Sequence, residues 1–259
     1  MKSQKGQILL ITVMLLATVM TIVLSVSFKS VTDTQVTKLE EESQKALAAA
    51  ESAIEVALKN NATATIGSGS LTSITGFEGS ATIDSSTSKT FKTANILKDG
   101  GYTFYLGDYN LTTKAIGSST TSPANQAITI CFQSGTTNPA LEITLVKSSG
   151  VKKYVIDVPS SSRITGATDA SSSCIPDSTF GFSTDIPGGD IGADGQFLLV
   201  RPLYTSTRLL FSRSTTDFPV QGRTVSSQAT SSTSTGVSKK VVLFQSYPQI
   251  PAEFFTTAF

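Results

Sequence analysis

Residues 7–28 read QILLITVMLLATVMTIVLSVSF, and residues 29–58 continue as KSVTDTQVTKLEEESQKALAAAESAIEVAL. No charged residue interrupts the chain between Lys5 and Lys29, and neither glycine nor proline follows Gly6 in this stretch. A transmembrane helix needs about 20 apolar residues to cross a hydrocarbon core of ~30 Å. A helix that is apolar on every side is rarely this long in a soluble core. Residues 7–28 are therefore predicted to be the transmembrane half of one long N-terminal helix.

The second half of this helix, residues 29–59, is predicted to be amphipathic. Small and apolar side chains recur at a three-four spacing along one face, and Glu41 precedes Lys45 by four residues, the order that stabilises a helix. Two interpretations of the stripe stay open. It packs on the chain's own β-rich domain, or its alanines also let neighbouring helices approach closely in a bundle. The predicted packing positions are Val36, Leu39, Ala46, Ala50, Ala53 and Ala57.

The charges around the apolar run predict its orientation. Lys2 and Lys5 precede the run, and positive charge stays on the cytoplasmic side, so the N-terminus is expected inside and the rest of the chain outside. An uncleaved anchor is one outcome. A secretory signal peptide cut near residues 25–27 is another, although the apolar run is longer than the usual core of about 7–15 residues.

The start of the chain resembles the leader of type IV pilin-like proteins. A short basic segment, residues 1–6, ends in Gly6 and is followed at once by Gln7 and the apolar helix. In that family a prepilin peptidase cuts after the glycine and methylates the new N-terminus. Major pilins usually carry an aromatic residue and a glutamate at the first and fifth mature positions, where this chain has Gln7 and Ile11. A missing glutamate is typical of minor, initiating members, and residues 41–58 also resemble the segment after the membrane helix in minor pilins of the PilX type.

The resemblance implies a structural role. The chain is expected to be a minor pilin or pseudopilin, held first in the cytoplasmic membrane and then in an extracellular filament or its tip. Its partners would be membrane lipid, prepilin peptidase, the inner-membrane assembly machinery and other pilin subunits, contacted through the N-terminal helix. In the family a cytoplasmic ATPase supplies the assembly energy, so no cofactor is expected in this chain.

Residues 60–259 are predicted to form an extracytoplasmic β-rich domain. Residues 60–89 begin with a helix stop, Asn60-Asn61, and are expected to be a loop or ragged edge strands. Residues 163–195 are expected to be loops. Short segments of β-branched and aromatic residues between turn residues predict mostly antiparallel strands: Tyr102–Tyr109, Ala127–Gln133, Leu141–Lys147, Val151–Val158, Gln196–Arg201, Arg208–Ser212, Pro219–Ser226 and Val237–Gln245.

Two features of this domain have specific predictions. Ser148-Ser149-Gly150 separates two alternating segments, which predicts a hairpin between them. The only two cysteines, Cys131 and Cys174, lie on the outer side of the membrane helix, where a disulfide can persist. Such a bond would stabilise the domain by about 4 kcal/mol in the chain-entropy model. Two unrelated buried thiols are the alternative.

An acidic segment, DIPGGDIGADG, is a weak calcium candidate. Asp190, Gly192, Asp194 and Gly195 follow the start of a calcium-loop pattern, with Asp185 nearby. The third position of the pattern is glycine, and Arg201 stands where the bidentate glutamate belongs. A solvated turn rich in glycine and aspartate is the alternative interpretation.

The composition argues against an enzyme and against a nucleic-acid-binding protein. The chain has no histidine, which removes histidine-based triads and histidine metal ligands. The SxxK patterns at residues 86–89 and 149–152 are expected by chance in so serine-rich a chain. The net charge of +1 offers no strong attraction for nucleic acid.

The sequence thus predicts an α+β fold in which a long N-terminal helix packs on a mostly antiparallel β-sheet domain. The C-terminal segment, PQIPAEFFTTAF, is expected to lie against the β-domain, with an exposed contact for a partner subunit as the alternative. The main rival to a filament subunit is a membrane-anchored surface binding module that keeps its N-terminal anchor and does not polymerise.

Overall fold

One long N-terminal helix precedes a series of β-strands in the computed structural model, which describes residues 5–117, 126–232 and 236–254. The layout is α+β, as predicted. The helices are α1 (Lys5–Asn60) and α2 (Gly188–Ile191), with 3₁₀ turns at Gly69–Leu71 and Ala252–Phe254. The strands are β1 (Ala64–Thr65), β2 (Phe77–Asp84), β3 (Thr90–Lys92), β4 (Tyr102–Tyr105), β5 (Ile128–Phe132), β6 (Ala140–Lys147), β7 (Gly150–Asp157), β8 (Thr168–Asp169), β9 (Phe182–Ile186), β10 (Gly195–Leu203), β11 (Leu209–Ser212), β12 (Gly222–Ser231) and β13 (Ser238–Ser246).

The chain divides into two compact units, where the sequence had suggested one β-rich region after the helix. The first unit contains the chain up to Ile83 and returns for Val225–Leu243. The second contains Asp84–Thr224 and the chain from Phe244 onward. The segment that follows the helix therefore belongs to the same unit as the helix.

Helix α1 ends where the sequence predicts. Asn61 adopts a positive φ of 49°, the left-handed conformation that commonly ends a helix. The backbone N–H of Ala62 then reaches back to the carbonyl oxygen of Ala57 at 3.2 Å. This bond occupies one of the carbonyl groups that the last turn leaves without a helical partner.

The first unit packs the last turns of α1 on a four-stranded sheet with the order β1-β2-β12-β13. Its core consists mainly of small side chains, which allow the helix backbone to lie close to the strands. Gly79 in β2 shows how close the neighbouring strand comes, because a Cβ there would lie 1.9 Å from the carbonyl oxygen of Gln228. The buried core residues are Ala49, Ala50, Ala53, Ile54, Ala57, Ala64, Ile66, Leu71, Ala81, Val225 and Ala229.

The second unit contains two sheets, with the orders β4-β10-β6-β7-β8 and β3-β11-β5-β9. Their strands pair antiparallel, with the exception of β7 and β8, which are parallel. Both sheets contribute large side chains to one core. Phe104 from β4 stacks on Phe211 from β11 with ring centroids 4.0 Å apart, and Phe218 meets Phe104 edge-on at 4.8 Å. Aromatic pairs of this kind add to the stabilisation that area burial provides.

The predicted hairpin is confirmed. Residues 60–89, predicted as a loop or ragged edge strands, and residues 163–195, predicted as loops, both contain strands. Lys147 pairs with Gly150, which leaves a two-residue turn between β6 and β7. Residues 60–89 include β2, which lies inside its sheet between β1 and β12. Residues 163–195 include β9, which pairs with β5 from Ile128 to Phe132. Both strands are rich in Gly, Ser and Thr or bounded by Pro and Gly, so local propensity did not reveal them, and long-range pairing decided their structure.

Candidate functional site

The first 20 described side chains of α1 form a continuous apolar surface. From Leu9 to Phe28 every large apolar side chain is exposed, at 47–71% of its full accessible area. The most apolar 18-residue window of the helix has a mean hydropathy of 2.6. By length and composition, α1 can cross a membrane.

Three threonines interrupt this surface without leaving free hydroxyl donors. Thr12 donates to the carbonyl oxygen of Leu9 at 2.9 Å, Thr18 to that of Leu15 at 2.8 Å, and Thr21 to that of Ala17 at 2.8 Å. A hydroxyl group that bonds within its own helix can enter hydrocarbon at a low cost. The threonines are therefore compatible with insertion of the whole segment.

Charge appears from Lys29 onward, and full burial begins only at Ala46. The 37 residues from Leu9 to Lys45 extend about 55 Å at 1.5 Å per residue. Near the end of this stretch Lys45 Nζ lies 2.6 Å from Glu41 Oε1, as the spacing predicts. The hydrogen bond from Lys45 lowers the pKa of the exposed Glu41 carboxyl.

The predicted helix-packing stripe divides into two parts. Ala46, Ala50, Ala53 and Ala57 are fully buried, and the last three belong to the core of the first unit. Val36 and Leu39 are 47% and 43% exposed. Ala50, Ala53 and Ala57 thus pack in the core that the helix forms with the chain's own sheet, and of the six positions only Val36 and Leu39 leave surface for a neighbouring helix.

The predicted processing site lies at the beginning of α1. The helix starts at Lys5, so Gly6 and Gln7 are both in its first turn. Residues 1–4 of the leader lie outside the described residues, and side chains in this helix are described from Leu9. Cleavage after Gly6 remains a prediction.

The disulfide between Cys131 and Cys174 is present, with 5.8 Å between the Cα atoms. It joins β5 to the segment before β9, across 43 residues of chain. Both cysteines are buried in a small cluster with Phe180 and Leu210. The bond therefore constrains the longest of the segments that were predicted to be loops.

The three aspartates of the calcium candidate turn to separate partners. Thr129 Oγ1 donates to Asp185 at 2.6 Å. Asp190 accepts from Tyr154 at 2.8 Å and pairs with Lys152 at 2.6 Å. Among the described residues no group of three acidic, cysteine or histidine side chains could hold a metal ion.

The third aspartate also belongs to the protein's own contacts. Asp194 accepts from the hydroxyl group of Ser149 and lies 3.8 Å from Lys147 Nζ. The hydrogen bond from Ser149 lowers the pKa of Asp194, and the one from Lys152 lowers the pKa of Asp190. Ser149 and Lys152 of one SxxK pattern therefore bond to two different aspartates.

The C-terminal segment lies on β4 as far as Ile250. Tyr105 donates its hydroxyl hydrogen to the carbonyl oxygen of Pro248 at 2.6 Å, and burial raises the pKa of Tyr105 to about 12. Gln249 Oε1 accepts from the backbone N–H of Thr103 at 2.7 Å. The preferred interpretation is thus confirmed for this part. Residues 255–259 lie outside the described residues.

Sequence reasoning missed one functional candidate, the buried cation Arg213. It follows β11 in the segment Ser212–Thr216, which carries no motif. Sequence spacing cannot show whether an arginine is buried with or without a carboxylate partner, because ion pairs in this unit join distant residues such as Glu142 and Arg201. No signal in the sequence distinguishes it from an exposed arginine.

Comparison with known proteins adds no assignment. No protein-family model, curated protein or solved structure matches the chain. The functional argument therefore depends on the chain's own residues, above all on the exposed apolar surface of α1.

Proposed function

We propose that this chain is a minor type IV pilin or pseudopilin. Residues 7–28 anchor it in the cytoplasmic membrane with the N-terminus inside. Prepilin peptidase cuts after Gly6 and methylates Gln7, and the inner-membrane machinery assembles the subunit into a filament or its tip. The observation that carries the proposal is the exposed, uncharged surface of α1 from Leu9 to Phe28.

The energetics of that surface require a non-aqueous environment. Burying one large aliphatic or aromatic side chain is worth about 1.5–3 kcal/mol, and this surface carries many of them. A helix exposing them all to water would aggregate or insert into lipid. In a filament, contacts with neighbouring helices replace the contacts with lipid, and close packing rather than exclusion of water stabilises them.

The charge on α1 from Lys29 onward indicates that this part of the helix lies outside the bilayer. The helix runs without a break through Lys29 and into the first unit. It therefore holds that unit at a distance from the apolar segment, as a filament subunit requires. Val36 and Leu39 extend the apolar surface beyond the membrane half and would meet the helix of a neighbouring subunit.

The mature N-terminus tests the proposal most directly. Mass spectrometry is performed on the chain from membranes and from sheared surface material. We expect a chain that begins at Gln7 and is N-methylated. A chain that retains Met1 in both fractions contradicts it, and one that begins near Phe28 identifies a secreted protein without this helix.

A second candidate function is a membrane-anchored surface binding module, with no polymerisation. It is favoured by the burial of Ala46, Ala50, Ala53 and Ala57 in the chain's own unit, which removes the alanine face from any contact between subunits. Cross-linking separates the two candidates. A photo-reactive amino acid at position 36 is expected to cross-link the chain to neighbouring pilin subunits in membranes of the native host, and the same group at position 44 serves as an exposed control on the same helix. Absence of cross-links from position 36 favours the binding module.

A further inference from the structure

A polar cavity in the second unit surrounds the end of β11. Twelve described residues line it, and six of them carry hydroxyl groups, including Ser212 and Ser214 on either side of Arg213. Its volume is about 600 Å³. Apart from Arg213, the one ionisable side chain in the lining is Asp185. The lining thus offers many hydrogen-bonding groups and one charge of each sign.

Arg213 is unusual among the buried charges of this unit. It is only 4% exposed, yet among the described residues its Nε has no hydrogen-bond partner, and the one side-chain hydrogen bond described for it is long, 3.5 Å from Nη1 to Thr216 Oγ1. No carboxylate of the described residues forms an ion pair with it.

The other buried charged side chains of this unit have partners of opposite charge within the protein. Asp157 is held by Arg163 at 2.6 Å and by two backbone N–H groups at 2.8 Å. Glu142 lies 3.4 Å from Arg201. A buried ion normally has a partner of opposite charge, because desolvation is costly. Arg213 has no such partner within the described part of the chain, and its burial lowers the pKa of the guanidinium.

The position of the guanidinium is nevertheless well defined. Its central carbon lies 4.8 Å from the centroid of the Phe218 ring, which supports one face of the group. The backbone N–H of Arg213 donates to the carbonyl oxygen of Lys89 at 3.0 Å. The cation is therefore held in place at the cavity before any ligand arrives, which lowers the entropic cost of binding.

We propose that this cavity binds a small oxyanion, a carboxylate, sulfate or phosphate group, with Arg213 as its counter-ion. Arginine is the side chain that proteins use most for such groups, because its planar N–H donors match their oxygen atoms. Thr129 donates to Asp185 and Ser183 donates to the carbonyl oxygen of Ser173, so the hydroxyl groups that would donate to the remaining oxygen atoms are those of the other lining serines: Ser171, Ser173, Ser212 and Ser214. This site is independent of the proposed filament role, since none of its residues belongs to the first unit.

Asp185 sets the selectivity of the site. Its carboxylate lines the same cavity and accepts from Thr129 at 2.6 Å. A negative charge there repels an anion, so it favours a ligand with a single negative charge over a dianion. Removing this charge is therefore expected to strengthen anion binding, whereas removing the charge of Arg213 weakens it.

The test uses the full chain in a non-ionic detergent and a buffer with little chloride. Isothermal titration is performed with sodium acetate, sodium sulfate and sodium phosphate, with ionic strength held constant by a large organic salt. We expect saturable binding of at least one anion. Arg213→Gln is expected to weaken it at least tenfold, and Asp185→Asn to strengthen it several-fold. Arg208→Gln, at an exposed arginine of the same unit, is expected to leave it unchanged.

Three results overturn the proposal: no saturable binding of any of the three anions, equal binding by R213Q and the unchanged chain, or weaker binding by D185N. The anion that binds most tightly distinguishes a carboxylate ligand from a sulfate or phosphate ligand. If R213Q does not fold, D185N still decides, because a gain of affinity cannot come from misfolding. A negative result for anion binding does not bear on N-terminal processing, so the two proposals are tested separately.

Discussion

The two units stabilise their cores with side chains of opposite size. The first unit buries mainly alanines between one helix and one sheet, and within that sheet β12 comes very close to β2 at Gly79. The second buries phenylalanine, leucine and isoleucine between two sheets, and it adds a disulfide and buried ion pairs. A core of small side chains packs closely and leaves no volume for a larger residue. A core of large side chains buries more apolar area, so truncating one of them costs more stability. We therefore expect the second unit to be most sensitive to truncation of a buried side chain and the first unit to enlargement of one.

The largest effect is expected from truncation in the second unit. Phe104→Ala removes a fully buried ring that contacts Phe211 and Phe218, and it should lower the free energy of unfolding by about 3–5 kcal/mol. Chemical denaturation of the chain in detergent, followed by tyrosine fluorescence, measures it. Phe254→Ala, at a ring that is 77% exposed, is the matched control and should change less than about 0.5 kcal/mol. Equal effects of the two would show that the core is not where the structure places it.

Loss of the disulfide is expected to be the next largest effect. The Cys131→Ser, Cys174→Ser double substitution releases a 43-residue constraint on the denatured chain and should cost the second unit about 2–4 kcal/mol. The same denaturation experiment, with and without reductant, measures it. Reductant should destabilise the unchanged chain to the level of the double variant and leave that variant as it was. The first unit, which has no cysteine, should unfold as before.

Enlarging a buried side chain, rather than truncating one, tests the packing of the first unit. Ala53→Leu forces three carbon atoms into a position that is fully buried against the sheet, and it should destabilise this unit by about 1–3 kcal/mol. Hydrogen exchange of β2 and β12 amides, read by mass spectrometry, reports on the sheet that the helix covers. Ser52→Leu, one position earlier and only partly buried, is the control. Unchanged protection in A53L would mean that the helix does not pack as closely as described.

The smallest effect concerns a surface ion pair of the second unit. The hydrogen bond from Lys92, followed by those from Thr179, lowers the pKa of Asp177 to about 2. A lowered folded-state pKa contributes stability above the unfolded value near 4, and this contribution is lost as pH falls from about 4 to about 2. Lys92→Gln should raise the pKa of Asp177 toward its ordinary value, as measured by carbon-detected NMR titration. Lys89→Gln is the control, and an unchanged Asp177 titration in K92Q would contradict the assignment of the cause.

Prediction from sequence succeeded where local chemistry decides. The apolar run, the stop at Asn60-Asn61 and the turn at Ser148-Ser149 each depend on residues close together in the chain. The disulfide could also be predicted from the sequence, because two cysteines allow only one pairing. β2 and β9 could not be recognised in the same way, since their residues have weak strand propensity and find their partners far along the chain.

The sequence by itself determined a long helix whose first half is apolar and uncharged, because hydrophobicity and helix length are sums over consecutive residues. It also determined the hairpin and the strand-rich character of the chain after the helix. Only the tertiary structure decided that Ala50, Ala53 and Ala57 of the helix belong to the core it forms with the chain's own sheet. It also decided that three neighbouring aspartates turn to separate partners, and that Arg213 is buried with no counter-ion among the described residues. These outcomes depend on which distant residues come within a few ångströms of each other, and that distance is set by the packing of the sheets.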